Sequence, residues 1–212
     1  MKSKVKSNGH LWLLTGWVFY FAAYVLTERL ISPENCYSVH IPLDDQIPFM
    51  EIFLIPYIIW YVLIAGSLLW FAFRDVKSFK ELQSYLIIVQ VIAVLCHIIL
   101  PTRQDLRPVE FTRDNFLIRG VKLLYAIDTS TGVSPSLHCA CSMVIVSVWC
   151  KTRTKLLLKW LIVLLAALIC ASTCFIKQHS AMDFFTAIPV VLVGESLIYW
   201  RYWKEKRREL SI

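Results

Sequence analysis

Residues 172–183 read Ser-Thr-Cys-Phe-Ile-Lys-Gln-His-Ser-Ala-Met-Asp and separate two apolar runs, 156–176 and 184–200. A helix needs roughly 17–25 apolar residues to cross a bilayer, so both runs are candidate spans and the stretch between them is a polar junction. Ionisable side chains are costly at such a place and mark function. If the chain is helical from His179 onward, His179 and Asp183 stand at i and i+4 on one face. The carboxylate can then hold one imidazole nitrogen and leave the other for a substrate. Lys177 adds a positive charge beside the ring. A nucleophile, its orienting group and an anion clamp together suit phosphate chemistry.

The same apolar pattern recurs along the chain. Hydrophobic residues make up 58% of the 212 positions, and the mean hydropathy is +0.60. Soluble domains average nearer ~45–50% apolar, so the sequence is that of an integral membrane protein. The runs predict an all-α fold, a six-transmembrane-helix bundle forming a single domain over residues 1–212. The spans fall at about 11–31, 51–73, 82–100, 136–150, 156–176 and 181–203. The first run is too long for a signal peptide and no small-residue cleavage site follows it, so it reads as an uncleaved helix. Pro56 is expected to kink the second span.

The net charge of +7 collects at span ends, which reads as membrane topology and not as nucleic-acid binding. The N-terminus, the 74–80 loop, the 151–159 loop and the C-terminal tail are all basic. Six spans put these four on the cytoplasmic side of a cell membrane, both termini included. The acidic 32–50 loop, the 101–135 segment and the Lys177–His179 junction then share the outer face, where the active site is expected. Arg103, Arg107, Arg113, Arg119 and Lys122 are basic residues on the non-cytoplasmic side, and a bound anion would account for them.

Span four opens with Ser134-Pro-Ser-Leu-His138. Ser134 or Ser136 is a plausible N-cap and Pro135 can start a helix. The free amides there favour an anion, with His138 in the first turn to donate a proton. Arg103 and Arg107 share a face if the segment after Pro101 is helical, and guanidinium groups fit phosphate oxygens bidentately. These parts suit phosphoryl transfer through a histidine. His179, oriented by Asp183, attacks phosphorus, and His138 protonates the leaving oxygen. Lys177, Arg107 and the span-four amides stabilise the equatorial oxygens. No metal or other cofactor is required. The seven cysteines read as packing residues, without zinc spacing. His97 reads as a packed or interfacial histidine, with a place lining the site as the alternative. Asp128 either orders the loop before span four or hydrogen-bonds near the site. Glu195 is a functional candidate or one half of a structural pair near the inner leaflet.

The elements Pro-Ser-Leu-His at 135–138 and Ser-Thr-x-x-x-Lys-Gln-His-x-x-x-Asp at 172–183 resemble the type 2 phosphatidic acid phosphatase superfamily. Its motifs are Lys-x6-Arg-Pro, Pro-Ser-Gly-His and Ser-Arg-x5-His-x3-Asp. Their positions fall on Arg107-Pro108, on Pro135, Ser136 and His138, and on Ser172, His179 and Asp183. The resemblance implies a six-helix bundle, a membrane lipid phosphate or diphosphate as substrate, and hydrolysis through a phosphohistidine. It implies that Ser136, Ser172 and Arg107 surround the phosphate. Two family cations are missing, since Leu100 stands for the lysine and Thr173 for the arginine. Lys177 and Arg103 are the candidates to replace them. The Pro-Ser-Leu-His form is also similar to the branch that includes inositol phosphorylceramide synthases, so a lipid phosphotransferase is the alternative. A transporter, the third possibility, would scatter polar residues at mid-depth, whereas these gather at one face.

Overall fold

The computed structural model describes residues 9–210. Its helices are α1 (Thr15–Leu30), α2 (Pro42–Gln46), α3 (Leu54–Arg74), α4 (Val76–Ile99), α5 (Phe116–Ile127), α6 (Leu137–Lys151), α7 (Leu156–Phe175) and α8 (Ala181–Leu210). A short 3-10 helix, Gly9–Leu14, leads into α1. Two two-residue strands, β1 (Tyr37–Ser38) and β2 (Thr102–Arg103), pair in parallel. Among the described residues, five helical segments are long and apolar enough to cross a membrane: Gly9–Leu30, Glu51–Arg74, Val76–Ile99, Leu156–Phe175 and Ala181–Glu205. The sixth expected span is the shorter apolar helix α6.

Several expected boundaries move, each for a local reason. The third span begins at Val76, because the Asp75 side chain caps α4 by accepting from Ser78 N at 3.2 Å and Ser78 Oγ at 2.6 Å. Lys77 and Lys80 therefore lie in a helix and not in a basic loop. Pro56 falls in the first turn of α3, where its missing N–H would have had no partner. The irregular backbone is instead at Tyr199 in α8. The 101–135 segment is not helical after Pro101. It contributes β2 and then the amphipathic α5, capped by Asn115, so Arg103 and Arg107 do not share a helix face.

Helix α6 sits at the centre and packs against α3, α4, α7 and α8, while α1 lies on α4. Phe79, Leu82, Leu86 and Val89 of α4 meet Val144, Ile145 and Val148 of α6, with Ile169 and Ala187 beside them. Lipid tails are as apolar as these side chains, so close van der Waals fit holds helices together here, and small residues permit it. At Gly194 an added Cβ would lie 2.3 Å from the Tyr85 ring. That ring crosses to α8 and its hydroxyl donates to Val191 O at 2.6 Å.

Helices α3, α4, α6, α7 and α8 alternate in direction. The short connections at Asp75 and residues 152–155 share one end of the bundle, and the long polar segments share the other. At the former end Lys151 Nζ pairs with Glu195 at 2.7 Å. Ser147 Oγ and Trp203 Nε1 donate to the same carboxylate, and Tyr199 covers the ammonium at 4.2 Å. Glu195 is therefore half of a structural pair that ties α6 to α8.

Candidate active site

Helix α7 ends because the chain reverses over residues 172–180. Ile176 N bonds Ser172 O, and the amides of Gln178 and His179 both reach Thr173 O at 2.9 and 3.0 Å. Lys177 takes the left-handed conformation (φ 53°) that this reversal needs. Its ammonium donates to Asp44 O at 2.8 Å and to Ile47 O at 2.6 Å. Asp44 then receives the start of α8, from Ser180 Oγ at 2.6 Å and Ala181 N at 2.7 Å. The loop before α3 thus clamps both sides of the junction.

This frame seats the pair read from the sequence. His179 Nδ1 lies 3.1 Å from Asp183 Oδ2, which also accepts from Ser180 N at 3.0 Å. Asp183 is fully buried in the first turn of α8, where the helix dipole favours its charge. The imidazole Nε2 is left for a substrate. Burial opposes protonation of His179, but the hydrogen bond and charge of Asp183 outweigh it and hold the pKa above the ordinary histidine value.

His138 faces His179 with ring centroids 5.8 Å apart. It is sandwiched between Tyr57, at 4.3 Å, and Trp60, at 4.2 Å, so α3 fixes its ring plane. Ser136 caps α6 by accepting from Cys139 N, and Ser136 N donates to Asp183 O at 3.1 Å. The second and third motifs are therefore joined through backbone as well as across the two rings.

The expected cations behave differently. Arg107 donates to the carbonyls of Tyr125, Asp128 and Thr129 and to Gln178 Oε1. Arg103 donates to Pro33 O and pairs with Asp105. With Lys177 on the Asp44 and Ile47 carbonyls, all three arginine and lysine candidates hold loops. Ser172 is buried and donates to Ile169 O. Thr173 is completely buried and donates to Cys170 O.

Residues that no motif pointed to complete the surroundings. Asp128 accepts from Tyr24 and Tyr57 hydroxyls at 3.0 and 3.1 Å and from Gln178 Nε2 at 2.7 Å. It both orders the loop and adjoins the site. A cavity of about 1040 Å³ has His138, His179, Gln178, Asp128, His97 and Trp60 in its polar end. Its walls continue between α1 and α3 along Trp17, Phe21, Ile64, Leu68 and Phe73 to Leu11 and Phe79. Arg29 is the one lysine or arginine among its lining residues. His97, expected to be packed or interfacial, is buried and belongs to this wall. Its place near the end of span three had left that alternative open. Among the described residues, no three His, Cys, Asp or Glu side chains are grouped so as to hold a metal ion.

Comparison with protein-family models, curated proteins and solved structures finds no match to the chain. The functional reading therefore rests on the residues and their geometry.

Proposed function

We propose that this protein is a membrane-embedded phosphatase of the type 2 phosphatidic acid phosphatase kind, acting on a lipid phosphate or diphosphate. The observation that carries the reading is one cavity with two unlike ends. One end holds an Asp183-oriented histidine opposite a second histidine, and the rest is an apolar seam between α1 and α3. A phosphorylated headgroup fits the first and a hydrocarbon tail the second.

In this reading α6 is the sixth crossing. Its 15 residues extend about 22 Å, short of a hydrocarbon core of about 30 Å, so its N-terminus is recessed from the membrane surface. The reading puts the histidines at the non-cytoplasmic end of the bundle, with the basic ends of the helices inside. His179 Nε2 attacks phosphorus, and the bond from phosphorus to the leaving oxygen breaks. His138 gives that oxygen its proton. Water then attacks the phosphohistidine, its proton passes to His138, and inorganic phosphate leaves. Asp183 holds the His179 tautomer and stabilises the positive charge the ring gains.

The test is phosphate release by the purified full chain in detergent. The substrates are dioctanoyl phosphatidate, a short-chain phosphatidylglycerophosphate and farnesyl diphosphate. Wild type is expected to hydrolyse at least one, His179→Ala none, and His138→Ala at least a hundredfold more slowly, in line with loss of a general acid. Full activity in His179→Ala refutes the mechanism. A new phospholipid formed from an added alcohol, at the expense of free phosphate, makes the protein a transferase.

A further inference from the structure

Phosphate is bound by cations or by well-placed hydrogen-bond donors. Arg103, Arg107 and Lys177 donate to backbone carbonyls of other loops. The polar end of the cavity must then find donors elsewhere. Three side chains in its wall carry a buried nitrogen without a hydrogen-bond partner among the described residues: His138 Nε2, His97 Nε2 and Trp60 Nε1. They are 9%, 4% and 8% exposed. Leaving such groups unpaired costs free energy, and their clustering at one place needs a reason. His138 has one as the proton donor. His97 and Trp60 belong to none of the motifs.

We propose that His97 and Trp60 are substrate-binding residues that donate to the phosphoryl oxygens, taking the place of the two missing family cations. The inference rests on the phosphatase reading and extends it. Leu100, where the motif has lysine, is the C-cap of α4, three residues after His97, and its side chain is exposed. The donor has moved inward along the same helix. His97 is seated against Gly132, which has φ +62° and where an added Cβ would lie 3.3 Å from His97 Nδ1. Gly132 N is itself anchored on Thr102 O at 2.7 Å, so the imidazole rests against fixed backbone. His97 and His179 line the same cavity. The Trp60 ring lies against His138, tilted by 37° with centroids 4.2 Å apart, which puts its indole beside the general acid. An imidazole and an indole supply donors with little permanent charge. The ligand they suit is therefore a phosphate group held beside His179, its ester or anhydride oxygen directed to His138.

The experiment uses the full chain in detergent with inorganic phosphate as the probe. Its inhibition constant and its stabilisation against thermal unfolding are measured, together with kcat and KM for dioctanoyl phosphatidate. The variants are His97→Leu, which removes the donor at similar volume, His97→Gln, which keeps one, and Trp60→Phe, which keeps the ring. His97→Leu and Trp60→Phe are each expected to raise the phosphate inhibition constant and KM about tenfold, the worth of one hydrogen bond. His97→Gln is expected to recover most of the loss, which a purely structural role would not produce. Inhibition and KM unchanged in both His97→Leu and Trp60→Phe, with hydrolysis intact, overturns the inference and keeps the phosphatase. No lipid hydrolysis by wild type, but stabilisation by phosphate that His97→Leu abolishes, overturns the phosphatase and keeps the phosphate site. Neither hydrolysis nor phosphate stabilisation in wild type overturns both.

Discussion

Replacing Asp183 by Asn changes the charge opposite His179 Nδ1 while preserving shape. The carboxylate is fully buried and makes two contacts, at 3.1 Å to the imidazole and 3.0 Å to Ser180 N. An amide oxygen can still accept one of them, so the chain reversal should survive. What is lost is the ionic part of the His179 hydrogen bond. Bonds to charged groups are worth about 1.5–3 kcal/mol, and the ring gains positive charge only as it attacks phosphorus. At about 1.4 kcal/mol per decade, kcat should fall roughly 10- to 150-fold with a small change in KM. The pH profile provides a second readout. Asp183 is what lifts His179 above the ordinary histidine pKa against the effect of burial. The nucleophile must be unprotonated, so the acidic limb of wild-type activity lies above about pH 6.5 and shifts downward in Asp183→Asn. Stability follows the opposite course. A raised folded-state pKa means the pair's contribution is complete below about 6.5 and is lost as pH rises through the folded value. The assay is initial-rate phosphate release from pH 5 to 9, paired with thermal unfolding over the same range. A kcat within twofold of wild type and an unmoved acidic limb refute the assignment of Asp183 as the group that orients and charges His179.

Lys177→Met removes two ammonium–carbonyl bonds to residues 44 and 47. It should cost about 2–3 kcal/mol of stability, seen as a lower Tm, with KM for the lipid unchanged; a raised KM at unaltered Tm would return Lys177 to the phosphate. Gly132→Ala puts a β-carbon at a φ of +62° and 3.3 Å from His97. About 1–2 kcal/mol of stability should be lost, and kcat/KM should fall with it. Glu195→Gln breaks the charge pairing with Lys151 at the far end of the bundle. Thermal unfolding should show a loss of about 3 kcal/mol, while kcat of the folded fraction stays at the wild-type value.

The sequence by itself determined the membrane class, the helical architecture and the pairing of His179 with Asp183. These follow from local rules: apolar run length, and the i, i+4 spacing that holds whenever the backbone is helical. An N-cap at Ser134 or Ser136 was legible for the same reason, and the structure selects Ser136. The start of α4 and the strand at Thr102–Arg103 were not, because the first depends on a cap at Asp75 and the second on pairing with Tyr37 and Ser38, 65 residues away. Only the tertiary structure decided what the charged residues do. Arg107 and Lys177 read as phosphate clamps because a cation near a candidate site looks the same in sequence whether it faces a ligand or a carbonyl. The carbonyls that claim them, at Asp44, Ile47, Asp128 and Thr129, belong to loops whose approach no periodicity encodes. His97 was ranked first as a packing residue, and Trp60 was passed over, for the converse reason. Each lies within an apolar helical run, and which face of that run borders the His138–His179 cavity is set by how α3 and α4 pack around α6. Helix rotation is a packing outcome, and with it went the identity of the groups that line the site.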